Sequence, residues 1–307
     1  MSRRHWFLLL IATGIGLAGF ANSRVQTAEP TYQGKRLSAW LAGFDEPEGS
    51  PPRGLAVGAL RQMGTNALPW LLAAIQAAEF VPKEEAIDWI NRQAWPKVRL
   101  KPVSVRRAEA AKALAALGPL AAPAIPTLVS ALTDENAGDA ARVALSGIGP
   151  AITPPLIEAL RAPDARLRSA AAAALGSSAP NLSADHPMPA SSLGDGAAAD
   201  ANAAARALVE SLTDPDSGVR LNGVISLGEI RAEPAIEILG LMGRLNDPDV
   251  GVRANAVRSL ARYGARARMA APVLSLARQD PEPTVRAGAT VALRHIESAV
   301  SAETTDR

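Results

Sequence analysis

A repeat of 33 residues runs through the C-terminal part of this sequence. The pairs Asp214-Pro215, Asp247-Pro248 and Asp280-Pro281 recur at that interval. A small residue followed by leucine marks the middle of each copy and extends the repeat to seven copies: Ala59-Leu60, Ala113-Leu114, Ala144-Leu145, Ala174-Leu175, Ser226-Leu227, Ser259-Leu260 and Ala292-Leu293. Such a repeat predicts an array that grows along one axis, in which each copy packs only on its neighbours.

Each copy has the pattern of a helical hairpin. The apolar residues Val252, Ala256, Leu260 and Tyr263 lie on one face of an α-helix. A second apolar segment follows, with proline in its first turn, as in "AIPTLVSAL". We therefore predict an all-α fold, a right-handed α-solenoid of about seven stacked hairpins with one concave surface. Trp40 is assigned to an N-terminal capping helix.

The segments "VRLNGVISLGEI", "VRANAVRSLARYG" and "RRAEAAKALAALG" resemble the HEAT family, in the short bacterial variety known as PBS-lyase-type repeats. The resemblance covers about residues 52–299. It implies a solenoid fold. The family includes scaffolds, adaptors and a minority of enzymes, so the resemblance indicates a fold and leaves the function open.

Arginine occupies one repeat position in six of the seven copies, with Gly138 as the exception: Arg53, Arg107, Arg168, Arg220, Arg253 and Arg286. Aspartates recur in step, in the turn before the helix, at Asp164, Asp214, Asp247 and Asp280. We predict that these arginines reach aspartates of the preceding turn and tie consecutive hairpins together. The alternative is a basic stripe that binds a polyanion.

The N-terminus "MSRRHWFLLLIATGIGLAGFANS" is typical of a secretory signal peptide, residues 1–23. An exported, periplasmic or extracellular protein is expected, with a membrane anchor formed by an uncleaved signal as the alternative. No other segment is expected to span a membrane. Residues 24–51 are interpreted as linker and capping helix, 52–299 as the solenoid, and 300–307 as a disordered tail.

Composition excludes several classes of function. Without cysteine the chain has no thiol chemistry and no disulfide. Residues 24–307 contain 30 basic and 30 acidic side chains, which argues against a nucleic-acid partner. Only three histidines are present, and the His-Glu pairs used by iron-dependent hydroxylases of HEAT-like build are missing from the sequence. No catalytic, metal-binding or cofactor-binding residue is predicted.

Two insertions interrupt the repeat, at about 79–102 and 177–200. The first, considered over 79–107, combines tryptophan with basic residues and supplies the candidate partner-binding set: Trp89, Arg92, Trp95, Lys97, Arg99 and Lys101. The alternative places Trp89 and Trp95 in the core between cap and array. The second insertion, over 176–202, is predicted to be a flexible loop with an isolated His186.

The sequence thus predicts a non-catalytic scaffold or adaptor of the bacterial cell envelope. Its concave face and the 79–107 insertion would hold a macromolecular partner, a protein in the first instance and an envelope polymer in the second. The alternative is an accessory enzyme or chromophore-lyase-like factor with a small-molecule pocket near Trp89 and Trp95.

Overall fold

The computed structural model describes residues 29–77, 101–178 and 196–305. The chain divides into two compact units, Met1–Ala110 and Ala111–Arg307. Most of each insertion lies outside the described residues, which leave out 78–100 and 179–195. Residues 1–28 are also outside them. The predictions for the signal peptide and for His186 therefore fall outside the described part of the chain.

The first unit opens with a small β-hairpin that the sequence analysis did not predict. Strands β1 (Thr31–Tyr32) and β2 (Lys35–Arg36) pair antiparallel, with Thr31 opposite Arg36. Gln33 and Gly34 form the turn with φ of 50° and 73°. Two left-handed residues in succession are typical of the tight hairpin turn whose twist matches the strands. Two-residue strands are too short to show an alternating pattern in sequence.

Helix α1 (Leu37–Leu41) follows the hairpin and packs on α2 (Pro51–Met63), the first helix of copy one. It buries Leu37 and Leu41, and Phe44 directly after it is also buried. Trp40 is half-buried and its Nε1 donates to the carbonyl of Tyr32 at 3.3 Å. This is the arrangement of a capping helix. Helix α3 (Leu68–Gln76) completes the first hairpin.

The second unit contains the remaining copies. The helices from the unit boundary onward are α4 (Val103–Leu117), which crosses the boundary, α5 (Ile125–Ala131), α6 (Gly138–Ile148), α7 (Thr153–Ala159), α8 (Ala165–Ser177), α9 (Gly196–Ser211), α10 (Ser217–Ile230), α11 (Pro234–Gly243), α12 (Val250–Arg262), α13 (Ala271–Ala277) and α14 (Pro283–Thr305). First helices pack in the order α6, α8, α10, α12 and α14, and second helices in the order α5, α7, α9 and α11. The fold is an all-α solenoid.

Glycine ends most of the first helices. Gly64, Gly118, Gly149 and Gly264 lie four residues after the anchor leucine and have φ between 53° and 97°. Left-handed backbone is accessible to glycine without a Cβ clash, so these residues let the chain turn into the second helix. In copy five the same position is held by Arg231, with φ of 48°.

One of these turns bears on membrane insertion. By length and composition the run Val103–Ala131 is apolar enough to cross a membrane. This differs from the expectation that no segment other than the N-terminus could span one. The run is folded as two helices, because α4 ends at Leu117 and the backbone turns at Gly118 with φ of 59°. Leu114 and Leu128 are fully buried, as in the core of a solenoid.

Two boundary predictions are wrong. The tail 300–307 was expected to be disordered, but α14 continues to Thr305 and is 23 residues long. No glycine or proline lies between Glu297 and Thr305 to stop it. Copy seven therefore consists of one long helix, and the described residues contain no second helix for it. Likewise, α9 begins at Gly196, inside the predicted loop, because alanine dominates from residue 197 onward.

Candidate functional surface

Three repeat arginines form bidentate ion pairs with an aspartate of the following copy. The Nε and Nη2 atoms of Arg168 donate to Asp214 at 2.7 and 2.9 Å. The same two atoms of Arg220 donate to Asp247, both at 2.8 Å. Those of Arg253 donate to Asp280 at 2.8 and 3.0 Å. The predicted direction, towards the preceding turn, is wrong for these three arginines.

The preceding turn contributes backbone carbonyls instead. The Nη1 atom of Arg220 donates to the carbonyls of Asp214 and Pro215 at 2.9 and 3.0 Å. Arg168, Arg253 and Arg286 contact the carbonyls five and six residues before them in the same way. Each guanidinium is thus held by its own turn, and in Arg168, Arg220 and Arg253 the other edge binds the next copy.

The two acidic positions of the turn have different tasks. Asp214 and Asp247 bind arginine, whereas Asp216 and Asp249, two residues later, cap the next helix by accepting from Val219 and Val252 backbone N–H groups at 3.0 Å. Asp164 is likewise a cap, accepting from the N–H of Arg166 at 2.9 Å.

The ion pairs shift the pKa values of the aspartates that bind arginine. Hydrogen bonds from Arg168 and Arg253 lower the pKa of Asp214 and Asp280. Burial acts to raise the pKa of Asp247, but the bonds from Arg220 and the charges around them outweigh it, and the pKa is lowered. These carboxylates are ionised structural groups at neutral pH.

The two N-terminal repeat arginines also bind inside their unit. Arg107 is buried and donates from Nε to the carbonyl of Ile75 at 2.9 Å and from Nη2 to that of Ala77 at 2.7 Å. Arg53 donates to the carbonyl of Phe44 at 3.1 Å and pairs with Glu48 at 3.0 Å. The exception, Gly138, has no room for a side chain, since a Cβ there would lie 2.7 Å from the carbonyl oxygen of Leu132.

The candidate partner-binding set lies almost wholly outside the described residues: Trp89, Arg92, Trp95, Lys97 and Arg99. Lys101 is described, and it pairs with Glu109 and, at 3.6 Å, with Asp45. Glu109 is buried, which raises its pKa against the effect of Lys101. The structure therefore places Lys101 in a partly exposed cluster with two carboxylates of the same unit, a role that the count of basic residues around it did not suggest.

Sequence analysis did not single out the surface formed by the second helices. Each second helix from α5 to α11 has a half-buried apolar residue directly after its buried anchor leucine: Val129, Ile157, Val209 and Met242. Because these helices pack side by side, equivalent positions lie along one side of the array. Leu239 on α11 and Leu276 on α13 add side chains that are 55% and 69% exposed. We call these six residues the second-helix face.

A cleft of about 450 Å³ lies between α7 and α9 on this face. Its floor is Ile157 with the alanines of α9, whose methyl groups are too small to fill the space, and its rim carries Arg161, Asn202, Arg206 and Glu210. Arg161 lies 3.7 Å from Glu210, and Arg206 pairs with Glu233 at 2.8 Å. No group of three or more metal-ligating side chains occurs in the described residues.

A buried acid is a second feature that the sequence analysis missed. Glu237 is completely buried in α11, with Oε2 2.9 Å from the hydroxyl of Tyr263 and Oε1 accepting from the N–H of Ala232 at 3.1 Å. Burial raises the pKa of Glu237. Other copies have a small or apolar residue four positions before the anchor leucine of the second helix, as at Ala204 and Ala270, so alignment of the copies would have shown it.

Comparison with known proteins agrees with this architecture. Residues 238–304 match the family of HEAT repeats, and residues 106–134 match the PBS lyase HEAT-like repeat. No curated protein matches the chain. An engineered protein of known crystal structure is 24% identical, with 70% of this chain and 96% of that chain covered and a TM-score of 0.42.

The chain is thus an all-α solenoid that contains HEAT-type repeats. Such repeats generally serve as scaffolds for protein interaction.

Proposed function

We propose that this protein is a non-catalytic scaffold that binds a protein partner through the second-helix face. The observation that carries the proposal is the series of half-buried apolar residues at equivalent positions of α5, α7, α9 and α11, together with the exposed Leu239 and Leu276. Contiguous apolar side chains on a surface mark sites of interaction. The charged rim of Arg161, Arg206 and Glu210 supplies the polar border that interfaces have around their apolar centre.

A protein partner fits this surface better than a polyanion does. All six repeat arginines bind carboxylates or carbonyls of the chain itself, so they do not form a basic stripe. The rim of the cleft contains both signs of charge. A segment with apolar side chains and a few charges matches such a surface.

The cellular setting of the proposal rests on sequence. The N-terminal signal favours export to the periplasm or the extracellular space of a bacterium. Trp89 and Trp95, with the basic residues near them, are proposed as a second contact region for the same partner, or for an envelope polymer.

The alternative proposal is an accessory enzyme or chromophore-lyase-like factor. The match of residues 106–134 to the PBS lyase HEAT-like repeat favours it. Its small-molecule pocket would lie near Trp89 and Trp95. Binding of a small ligand to the purified protein, in the absence of any protein partner, would support this alternative.

Crosslinking in the native cells followed by mass spectrometry tests the scaffold. The tagged wild type is compared with a variant carrying Leu239→Asp and Leu276→Asp. The control is Val291→Asp, a change of the same kind at a side chain that is 56% exposed on α14. We expect one protein to be recovered with wild type and control and lost with the face variant, all three proteins having the same melting temperature.

The outcome against the proposal is equal recovery with wild type and face variant, or recovery of no protein. A further variant, Trp95→Ala with Arg99→Ala, tests the insertion separately. Loss of the partner without loss of thermal stability would assign the insertion to binding. A large loss of stability would assign the two residues to the core.

A further inference from the structure

Arg286 has the pose of the three paired arginines and lacks their aspartate. Its Nη1 donates to the carbonyls of Asp280 and Pro281, both at 2.8 Å. Arg220 contacts Asp214 and Pro215 at 2.9 and 3.0 Å in the same manner. Within the described residues, no carboxylate lies in ion-pair distance of Arg286.

The free edge of Arg286 is formed by Nε and Nη2. The equivalent edge of three other arginines in this molecule binds a carboxylate. In Arg168, Arg220 and Arg253 that edge binds both oxygens of one aspartate at 2.7 to 3.0 Å. The bound aspartate also accepts the N–H two residues later, as Asp247 does from Asp249 at 3.0 Å. The ligand in all three pairs is the first residue of an Asp-Pro turn.

The surrounding face of α14 differs from the equivalent face of the earlier helices. The positions four and eight residues after the arginine receive the next copy. They are Val224 and Gly228 in α10, where the carbonyl of Val224 accepts from Ser259 at 2.9 Å. In α14 they are Thr290 and Arg294, the first half-buried and the second exposed.

This face therefore carries two guanidinium groups in line and no acid between them. Its charge is complementary to an acidic segment. Because the two carbonyl bonds already orient the Arg286 side chain, a carboxylate that binds it costs less side-chain entropy than it would at a free surface arginine.

We propose that Arg286 is a docking site for the aspartate of an Asp-Pro turn presented by another protein. The turn binds to α14 as the Asp-Pro turns of this chain bind to the preceding helix. Arg294, two turns further along α14, adds positive charge to the same face. This site is separate from the second-helix face and does not depend on the partner proposed there.

Nuclear magnetic resonance of the full chain with ¹⁵N-labelled arginine tests the proposal. The probe is a blocked peptide with the sequence of residues 245–253, "LNDPDVGVR". The control peptide has asparagine in place of its first aspartate. The side-chain Nε–H signal of Arg286 is identified by its loss in Arg286→Lys.

We expect the Arg286 signal to shift and saturate at millimolar peptide, while the signals of the paired Arg168, Arg220 and Arg253 stay in place. Affinity read from Arg294 should fall at least about fivefold with the asparagine peptide and in Arg286→Lys, because lysine keeps the charge and loses the bidentate geometry. Arg258→Lys, a change at an exposed arginine of α12, should leave the affinity unchanged.

Three results would overturn the proposal: no shift of Arg286 at millimolar peptide, equal shifts with the asparagine peptide, or equal shifts at Arg258 and Arg286. The last would show general charge attraction. Equal melting temperatures of wild type and Arg286→Lys show that both proteins are folded, so that a lower peptide affinity of the variant reports on binding.

Discussion

Asp247 and Arg220 form the most buried ion pair between two copies in the part of the solenoid that the structure describes. Two hydrogen bonds of 2.8 Å join them, and the Asp247 side chain has no exposed surface. Arg244 adds a contact of 3.4 Å to the same carboxylate. The pair links α10 to the turn before α12, so it holds two consecutive copies in register.

Removal of Arg220 should destabilise the protein strongly. Arg220→Ala leaves the Asp247 carboxylate buried with weaker partners, and we expect the free energy of unfolding to fall by about 3 kcal/mol. The matched control is Arg262→Ala, whose ion pair with Glu229 lies at the surface, with an expected loss of about 0.5 kcal/mol. Urea unfolding at pH 7 measures both. Equal losses would contradict a structural role of the ladder.

Acid should weaken the ladder. The pKa values of Asp214, Asp247 and Asp280 are lowered in the folded protein, so their contribution to stability is present above the ordinary aspartate pKa. It is lost as the pH falls from that value through the lowered pKa. Thermal unfolding between pH 5 and pH 2 should show a decline that is smaller in a variant with Asp280→Asn. An unchanged decline in that variant would argue against the assignment.

The contribution of Glu237 to stability should depend on pH with the opposite sign. The hydroxyl of Tyr263 lies 2.8 Å from the carbonyl of Leu227 and 2.9 Å from Oε2 of Glu237, and one hydroxyl proton cannot serve both acceptors. A protonated Glu237 supplies the second proton. Burial raises the pKa of Glu237, so its stabilising contribution is present below the ordinary glutamate pKa and is lost as the pH rises through the raised one.

We therefore expect Glu237→Gln to raise the melting temperature at pH 8 and to have a smaller effect at pH 4, because the amide keeps a donor without a charge. Melting temperatures of both proteins across that range provide the measurement. Glu210→Gln is the control, since that carboxylate lies at the surface, 3.7 Å from Arg161. A gain that is equal at both pH values would contradict a buried ionised carboxylate as its cause.

Gly228 lies where α10 packs closely against α12. A Cβ there would lie 2.6 Å from Oγ and 3.1 Å from Cα of Ser259. Gly228→Ala should therefore cost about 2 kcal/mol of unfolding free energy despite the better helix propensity of alanine. Gly58→Ala, in the open middle of α2, should instead stabilise by about 0.8 kcal/mol. Chemical unfolding of the two variants checks the opposite signs.

Arg231 has the left-handed conformation that glycine adopts in four other copies. Its φ is 48°, and a Cβ in that region is strained. Arg231→Gly should increase the free energy of unfolding by about 1 kcal/mol. The same change at the exposed Arg258, inside α12, should reduce it by about 1 kcal/mol. A loss of stability in both variants would show that contacts of Arg231 outweigh its strain.

The periodic features of the fold could be predicted from the sequence. Apolar spacing in each copy and proline at the start of the second helix indicate helical hairpins, and the structure has them. The direction of the ladder could not be predicted. Asp247 lies six residues before Arg253 and 27 residues after Arg220, and the repeat makes both spacings equally regular. Only the geometry of α10 and α12 distinguishes them.

The candidate site was less accessible to sequence reasoning. The second-helix face needs side-by-side packing of helices that are far apart in the chain, so the row from Val129 to Met242 appears only when the copies are aligned at the second helix. Counting basic residues along the chain predicts a place for Lys101 in a recognition patch. Its carboxylate partners Asp45 and Glu109 lie far from each other in sequence, and no local pattern shows such a cluster.

The placement of an aspartate and an arginine in each of the C-terminal copies affects how the number of copies in the gene can change. From Asp214 onward, each repeat begins with an aspartate that accepts hydrogen bonds from the preceding copy. An arginine lies six residues later, and in the repeats that have a following copy it donates to that copy. Duplication of one such unit in frame adds one complete ion pair and disrupts none, and its deletion removes one pair and leaves the neighbours matched. This part of the array can therefore gain or lose copies by recombination without any compensating substitution.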